Sequence, residues 1–387
     1  MPWRSPMDAK RSLIFEVNDG MSVSEAADRH GVTRSCAYKW VERYRDYGWK
    51  GLEELSRRPE RSPNQIAQEL VDELLELKRQ RPDDGPLKLS EMLVIRHGKR
   101  VMAASTAGQI LARHGQVTKR RARHRGVGRV ECQPYEIAGA GDSMSTDFKG
   151  QFLLGNSSLC YPLTIADPFS RYVLGIKAMG STHMAPTKTG FERVFREYGI
   201  PRQMISDNGT PFCSANSLGG LTQLSRWWIE LGITPVRIEP GRPDQNGIHE
   251  RMHRTLKSWI VRRPESTLRS QQRSFDHFRR DFNHVRPHQS LGHKPPATAF
   301  RAYRPFSSRP KSIEYDLNMD VRLVNANGEI KWKGHQIFVT EVLIGARIGL
   351  LPVAESIWSI HFGSVRIGYL DAKNRRTINR KPVGDDE

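Results

Sequence analysis

Ser143-Met144-Ser145-Thr146-Asp147-Phe148-Lys149-Gly150 marks the point where the chain changes from helical to strand-like texture. Ser143 to Phe148 reads as a strand, followed by strand segments at Gln151 to Leu154 and Leu159 to Ala166, a turn at Asp167-Pro168-Phe169-Ser170, and a strand from Tyr172 to Ala178. The order then changes. Ala185 to Tyr198 is an amphipathic helix with Phe191, Val194 and Phe195 inward, and Gln203 to Ser206 is a short strand ending at Asp207. A looser Ser/Gly-rich stretch at Ser214 to Gly220 precedes a helix at Leu221 to Leu231, a strand at Thr234 to Ile238 and a helix at about Asp244 to Arg262. Strands first in hairpin order and then alternating with helices predict an α/β mixed sheet with helices packed on it. Trp227-Trp228 reads as core of that layer.

Three acids stand out by position. Asp147 lies on the first strand, Asp207 sits where a strand meets a loop, and Glu250 falls early in the helix after the last strand. Strand C-terminal ends are where sites form in open α/β sheets. Ile248, Met252, Leu256, Trp259 and Ile260 form an apolar stripe on that helix, while Glu250, Arg254 and Lys257 recur at i, i+4 and i+7 on the other face. A carboxylate and two cations on one ridge suit a metal ion beside a phosphate backbone. Transfer of a phosphodiester needs stabilisation of the attacking and leaving oxygens, which two Mg²⁺ ions supply, and magnesium prefers a few hard oxygen ligands. Singly, each acid has a structural reading as a turn, cap or surface-pair residue; the inference rests on all three in order. Other acids carry less. Asp142 belongs to the loop before the strand, Asp167 to a turn, and Asp244 to a helix N-cap. His249 and His253 have helical spacing for zinc but no third ligand near in sequence, and are expected to face DNA or solvent.

Outward on the N-terminal side, Met7 to Trp49 reads as three helices. Ser22 and Glu25 form an S-x-x-E capping box before Val23 to Arg29, Gly31 ends that helix, and Thr33 caps a third helix from Arg34 to about Asp46. This is a helix-turn-helix pattern, with Arg34, Ser35, Tyr38, Lys39 and Arg43 as the side chains that reach DNA. Asn64 caps a helix at Gln65 to Arg79, and helices at Leu87 to His97 and Thr106 to His114 complete a second helical DNA-binding set. The stretch Met92 to Val130 has no acid and contains Lys119, Arg120, Arg121 and Arg123, which read either as a linker lying along phosphates or as a plain solvated one.

On the C-terminal side, Thr267 to Val285 is a helix with Phe275, Phe278 and Phe282 in phase. Short apolar runs from Ile313 to Ile378 then alternate with turns. Asn327-Gly328 signals a hairpin between Val321 to Val324 and Ile330 to Trp332, and the whole reads as a small β-barrel. The resulting division is 1–56, helix-turn-helix; 62–116, second helical domain; 117–138, basic linker; 139–300, mixed-sheet core; and 312–380, barrel.

A formal net charge of +19 over 387 residues points to a polyanionic partner. The four cysteines, Cys36, Cys132, Cys160 and Cys213, are scattered, which argues against a zinc knuckle or a disulfide framework. Val342 to Ala354, interrupted by Arg347, is too short to cross a bilayer, and no signal peptide opens the chain. The expected setting is the cytoplasm, on nucleoid DNA, without a membrane.

Ser206-Asp207-Asn208-Gly209-Thr210-Pro211-Phe212, Gly241 to Lys257 and Thr146-Asp147-Phe148-Lys149-Gly150 together resemble the integrase catalytic core of insertion-sequence DDE transposases and retroviral integrases. Arg286-Pro287-His288-Gln289-Ser290-Leu291-Gly292-His293-Lys294-Pro295-Pro296 is similar to the segment following that core in bacterial members. The resemblance implies an RNase H-like core and two Mg²⁺ or Mn²⁺ ions held by Asp147, Asp207 and Glu250. It also implies hydrolysis at element ends, then attack of the freed 3′-hydroxyl on target DNA by a homo-oligomer bound to transposon-end and target DNA. Lys257 matches a DNA-contacting lysine of the family. Two departures stand out. The interval from Asp207 to Glu250 is long, with Ser214 to Gly220 as the expected looped insertion, and Met144 and Ser145 stand where the family often has a Trp. A nuclease that cuts without joining and a catalytically inactive DNA-binding regulator are the alternatives on the same residues.

Overall fold

A computed structural model of the chain describes residues 6–54, 65–117, 139–238, 247–262, 264–308 and 312–379. The chain divides into two compact units, Met1–Ala67 and Gln68–Glu387.

The first unit is three helices, α1 (Pro6–Asn18), α2 (Val23–Arg29) and α3 (Arg34–Tyr47). They close over Leu13, Ile14, Ala26, Ala27, Ala37 and Leu52. Three alanines at the crossing let the helix backbones approach closely. Gly31 has φ 64°, the left-handed conformation its place after α2 requires. The Ser22 hydroxyl accepts from the Glu25 amide at 3.2 Å. That is the Ser half of the expected capping box.

In the second unit, α4 (Gln68–Gln80), α5 (Pro86–His97) and α6 (Ala104–Arg113) form a helical layer around Leu74, Leu77, Leu89, Leu93 and Leu111. The first of these begins later than the expected Gln65, and Asn64 lies outside the described residues. Pro86 opens α5 at a position that needs no amide donor, and Gly98 ends it at φ 68°. Charged side chains fasten this layer to the core. Arg81 pairs with Asp281 through both guanidinium nitrogens, and Arg286 holds Asp84, which is only 2 % exposed, at 2.7 Å.

The core sheet contains β1 (Ser143–Phe148), β2 (Phe152–Leu153), β3 (Leu159–Ala166), β4 (Val173–Met179), β5 (Gln203–Ser206) and β6 (Thr234–Arg237). β3 pairs antiparallel with β1 and β4, while β1, β5 and β6 run parallel, so the sheet is mixed as expected. α7 (Met184–Tyr198) and α8 (Gln223–Glu230) cover one face, where Met144, Leu163, Ile165 and Met204 meet Phe191, Phe195, Trp227 and Trp228. α9 (Gly247–Arg262) and α10 (Leu268–His284) build the second cluster, in which Val173 and Ile176 meet Met252, Leu256, Phe275 and Phe278. Fully burying each such side chain contributes about 1.5–3 kcal/mol. α10 also satisfies the open edge of β4. Asn283 bonds the Val173 amide and carbonyl, Arg279 donates to the Leu174 carbonyl, and Gln272 bonds Ile176 and Ala178. A bare edge strand is a template for unwanted pairing, and this helix removes it.

The C-terminal strands differ from expectation in two respects. β7 (Asp320–Leu323), β10 (Arg347–Ala354), β11 (Ile357–Phe362), β12 (Val365–Asp371) and β13 (Arg376–Ile378) form an open antiparallel sheet in the order β13-β12-β11-β10-β7. β8 (Glu329–Trp332) and β9 (His335–Phe338) form a separate hairpin over the same core. The expected barrel is therefore not closed by strand pairing. Nor does Asn327-Gly328 join β7 to β8. The Asn325 side chain takes the Asn327 and Glu329 amides at 2.9 Å each, making a capped loop, and β7 pairs with β10 instead. The tight hairpin turn is Lys333-Gly334, with φ 45° and 85°, joining β8 to β9.

Ser214 to Gly220 is not a free loop. Ser217 meets Thr340 at 2.9 Å, and Leu218 and Leu221 join the C-terminal core. Gly219 has φ 60°, and a Cβ there would lie 2.3 Å from the Ile367 carbonyl oxygen. The stretch is a seat for the C-terminal sheet, and its glycine permits the close approach. No helix among the described residues is long and apolar enough to cross a membrane.

Candidate functional site

The sheet register brings two of the three acids side by side. Ser145 of β1 pairs with Ile205 of the parallel strand β5, and Asp147 and Asp207 each lie two residues further on. Both therefore emerge at the same end of the sheet from neighbouring strands, which run about 4.8 Å apart. The Gly209 amide donates to Asp207 Oδ1 at 3.1 Å, and the Asn208 side chain ties the loop to the Ile238 carbonyl at 2.7 Å. A Cβ on Gly209 would lie 3.2 Å from Asp207 Oδ2, so the absence of a side chain leaves that carboxylate its position.

Glu250 is in the first turn of α9 and is exposed, as are Arg254 and Lys257 on the same ridge. Its field reaches Asp147. Burial pushes the Asp147 carboxyl up to about 7, and the charges of Asp207 and Glu250 push in the same direction, against the Phe148 amide and Lys149. This is how clustered carboxylates behave without a counter-ion. Among the described residues, no three His, Cys, Asp or Glu side chains stand close enough to enclose a metal as they lie. Hard carboxylate oxygens are nevertheless a donor set that fits Mg²⁺ or Mn²⁺ rather than zinc.

The two histidines beside Glu250 do not face solvent. His249 and His253 are 0 % and 7 % exposed and lie between α9 and the sheet. Ser145 already donates to the Ala166 carbonyl, so its hydroxyl accepts from His249 Nε2 at 2.8 Å. Thr164 donates to the Asp147 carbonyl at 2.8 Å and accepts from His253 Nε2 at 2.8 Å. That assignment leaves the His253 Nδ1 lone pair 3.5 Å from Asp147 Oδ2. The polar residues on this face of β1 and β3 thus receive the two rings and fix α9, with Glu250, against the strand that carries Asp147. The signal was present in the sequence. Residues 249, 252, 253, 256 and 260 make one inward stripe, of which two members are histidines.

Burial lowers His249 to about 4 and His253 to about 2. Both are neutral in the folded chain, whereas an unfolded histidine takes a proton below about pH 6.5. Their stabilisation is complete above that pH and is lost as pH falls toward the folded values. His249→Gln keeps a donor for Ser145 and removes one titrating ring. Urea unfolding at about pH 5 and at neutrality is expected to show a smaller acid-induced loss in the variant than in the parent. Equal losses would show that the ring does not titrate between the two states.

The other expected contacts fall into three groups. Arg34, Ser35, Tyr38 and Lys39 are exposed on α3, with Tyr38 at 56 %. Arg43 is half-buried and donates to the Glu53 carbonyl at 2.9 Å. Lys119, Arg120, Arg121 and Arg123 lie outside the described residues. Asp142 and Asp167 serve structure. Asp142 faces Arg202 at 3.9 Å, and Asp167, fully buried, accepts from the Phe169 and Ser170 amides.

Five domain families match the chain. A helix-turn-helix domain covers 9–60 and a homeodomain-like domain 36–111. Integrase core domains cover 138–243 and 231–296, and the IS481 family transposase C-terminal domain covers 319–378. An uncharacterized 39.2 kDa protein of insertion element IS476 from Xanthomonas euvesicatoria is 29% identical over 164 residues, 42% of this chain and 45% of that protein. The chain therefore spans less than half of that relative. An uncharacterized 31.7 kDa protein of IS407 from Burkholderia multivorans is 24% identical over 202 residues, covering 52% of this chain and 70% of that one. The Gag-Pol polyprotein of gibbon ape leukemia virus is 31% identical over 103 residues, 26% of this chain and 6% of its own. Among solved structures, the HTLV-2 integrase catalytic core domain in complex with magnesium matches with TM-score 0.33 at 14% identity, covering 42% of this chain and 99% of that one.

Proposed function

We propose that this chain, which has the domain make-up of an IS481-family transposase, is a metal-dependent DNA transposase whose acidic triad is Asp147, Asp207 and Glu250. It hydrolyses phosphodiesters at element ends and joins the freed 3′-hydroxyls to target DNA. The observation that carries this reading is the register that sets Asp147 beside Asp207 at the ends of two parallel strands, where burial raises the Asp147 carboxyl to about 7 and the charges of Asp207 and, from α9, Glu250 push the same way. A fold does not keep that repulsion for stability; a divalent cation reverses it.

Asp147 and Asp207 would hold Mg²⁺ or Mn²⁺, two ions in all, from adjacent strands, and Glu250 would close the set by rotation of its exposed side chain. When bound, such ions activate the attacking oxygen and stabilise the leaving one. The chain's own contribution is position. The His249 and His253 contacts set the helix, Gly209 leaves Asp207 its place, and Arg254 and Lys257 face the phosphates beside Glu250. The two helical sets, 1–56 and 62–116, would grip element-end DNA, the linker 117–138 would follow phosphates, and the core 139–300 and C-terminal sheet 312–380 would complete a homo-oligomer on nucleoid DNA.

Gly209→Ala crowds Asp207 by a few tenths of an ångström without touching the core. About a tenfold loss of metal-supported cleavage is expected, with unfolding temperature unchanged. Parental cleavage rates would remove Gly209 from the account. The function itself is tested with the full chain, labelled element-end DNA, Mg²⁺ and a target plasmid. Joined products are expected. Nicks without joining would identify a nuclease, and a gel shift with neither would identify a regulator.

A further inference from the structure

Away from the carboxylates, α7, α10 and the edge strand β4 enclose a groove of about 430 Å³. It is lined by the cations Lys177, Arg193, Arg273, Arg279 and Arg280 and by only two acids, Glu197 and Asp276. Arg279 is already committed to the Leu174 carbonyl, Tyr198 and Glu197. Asp276 accepts from Gln272 at 3.0 Å. Of the five cations, Arg279 alone has a described carboxylate within 4.0 Å. Lys177 is half-buried on β4, and its ammonium is pushed down by burial and then by Arg193. A concave surface with uncompensated cations focuses its field on an anion.

The groove does not open onto the acidic site. Lys177 pairs in register with Leu163, and Leu163 with Phe148, whereas Asp147 pairs with Thr164 and Thr164 with Ile176. Lys177 and Asp147 therefore leave opposite faces of the sheet. Joining one DNA to another requires two duplexes to be held at once, and the carboxylate edge accounts for the reacting strands only.

We propose that this groove is a second DNA site, which takes the backbone phosphates of a duplex away from the reacting strand through Arg193, Arg273 and Arg280. The inference rests on the transposase reading for its purpose but not for its measurement. The test compares the full chain with the triple variant Arg193→Ala, Arg273→Ala, Arg280→Ala. All three side chains are exposed, and an unchanged thermal melt checks the fold. Arg196→Ala, on the same helix but paired with Glu192, is the control.

Fluorescence anisotropy with a random-sequence duplex gives the dependence of log affinity on log salt. Each lost phosphate contact removes about 0.9 from the slope, so the triple variant is expected to be shallower by about 2.7 and the control unchanged. Inorganic phosphate should compete only weakly, because one anion replaces a single contact of several. In the joining assay, end hydrolysis should persist while joining to the plasmid falls at least about tenfold. An unchanged slope in the triple variant, an equal change in the control, or full competition by phosphate would each overturn the proposal. If the parent neither cuts nor joins, the transposase reading fails, and the slope still decides the groove.

Discussion

Asp147→Asn, Asp207→Asn and Glu250→Gln each lower metal-supported cleavage by about three orders of magnitude or more, while element-end binding stays close to parental. The size follows from the chemistry assigned to the carboxylates. Metal ligation supplies several kcal/mol of transition-state stabilisation, and each 1.36 kcal/mol is a factor of about ten. The substitutions keep side-chain volume, so packing at the β1–β5 edge is retained. The duplex contacts proposed lie on other surfaces, among them Arg34, Ser35, Tyr38 and Lys39, exposed on α3. Single-turnover cleavage and a gel shift on the same preparations separate the two. Cleavage near the parental rate in any one variant would remove that residue from the triad.

A second large effect is expected in stability without metal. The folded Asp147 carboxyl is raised to about 7 from its ordinary value of 3.8. Between those values the folded chain keeps a proton that the unfolded chain has released, so this group's contribution falls as pH rises through the window. Below about pH 4 both states are protonated and the group costs nothing; above about 7 the whole penalty is present. Asp147→Asn removes it. The variant is expected to be more stable than the parent by roughly 2–4 kcal/mol at pH 8, with the difference vanishing toward pH 4. Mn²⁺ should invert the order, because a ligand at about a thousand times its Kd adds about 4.1 kcal/mol to the parent and little to the variant. Thermal melts at two pH values, with and without Mn²⁺, give all four numbers. A parent as stable as the variant at pH 8 without metal would mean that Asp147 carries no such strain.

Much of the sheet was legible because its residues alternate or recur with a clear period. β1, β3 and β5 coincide with the stretches read from the sequence, as do the inward Phe275, Phe278 and Phe282 of α10. Periodicity is blind to polar side chains that act at long range. Asn283, Gln272 and Arg279, which satisfy the edge of β4, carry no periodic signal that would mark them. His249 and His253 were assigned outward for the same reason: a histidine counts as polar until a buried Ser145 and Thr164 are seen to receive it.

Local turn chemistry misled in the C-terminal sheet. Asn327-Gly328 has the composition of a hairpin, but Asn325 captures its amides and β7 finds its partner in β10, after the β8–β9 hairpin. Lys333-Gly334, the turn that does make a hairpin, carries a weaker signal. For Asp147 and Asp207, the order along the strands was readable, and so was the sheet end at which both emerge. The final placement of Glu250 was not, since an exposed side chain with several torsions takes its position from what it binds.

Convergence of the three carboxylates on shared divalent ions is tested most directly by a crystal of the full chain grown with Mn²⁺ and read by anomalous scattering. Density for an ion touching both Asp147 and Asp207, with Glu250 turned in to complete the set, is the predicted result. Manganese absent from that edge at saturating concentration, with Glu250 still directed into solvent, would contradict it.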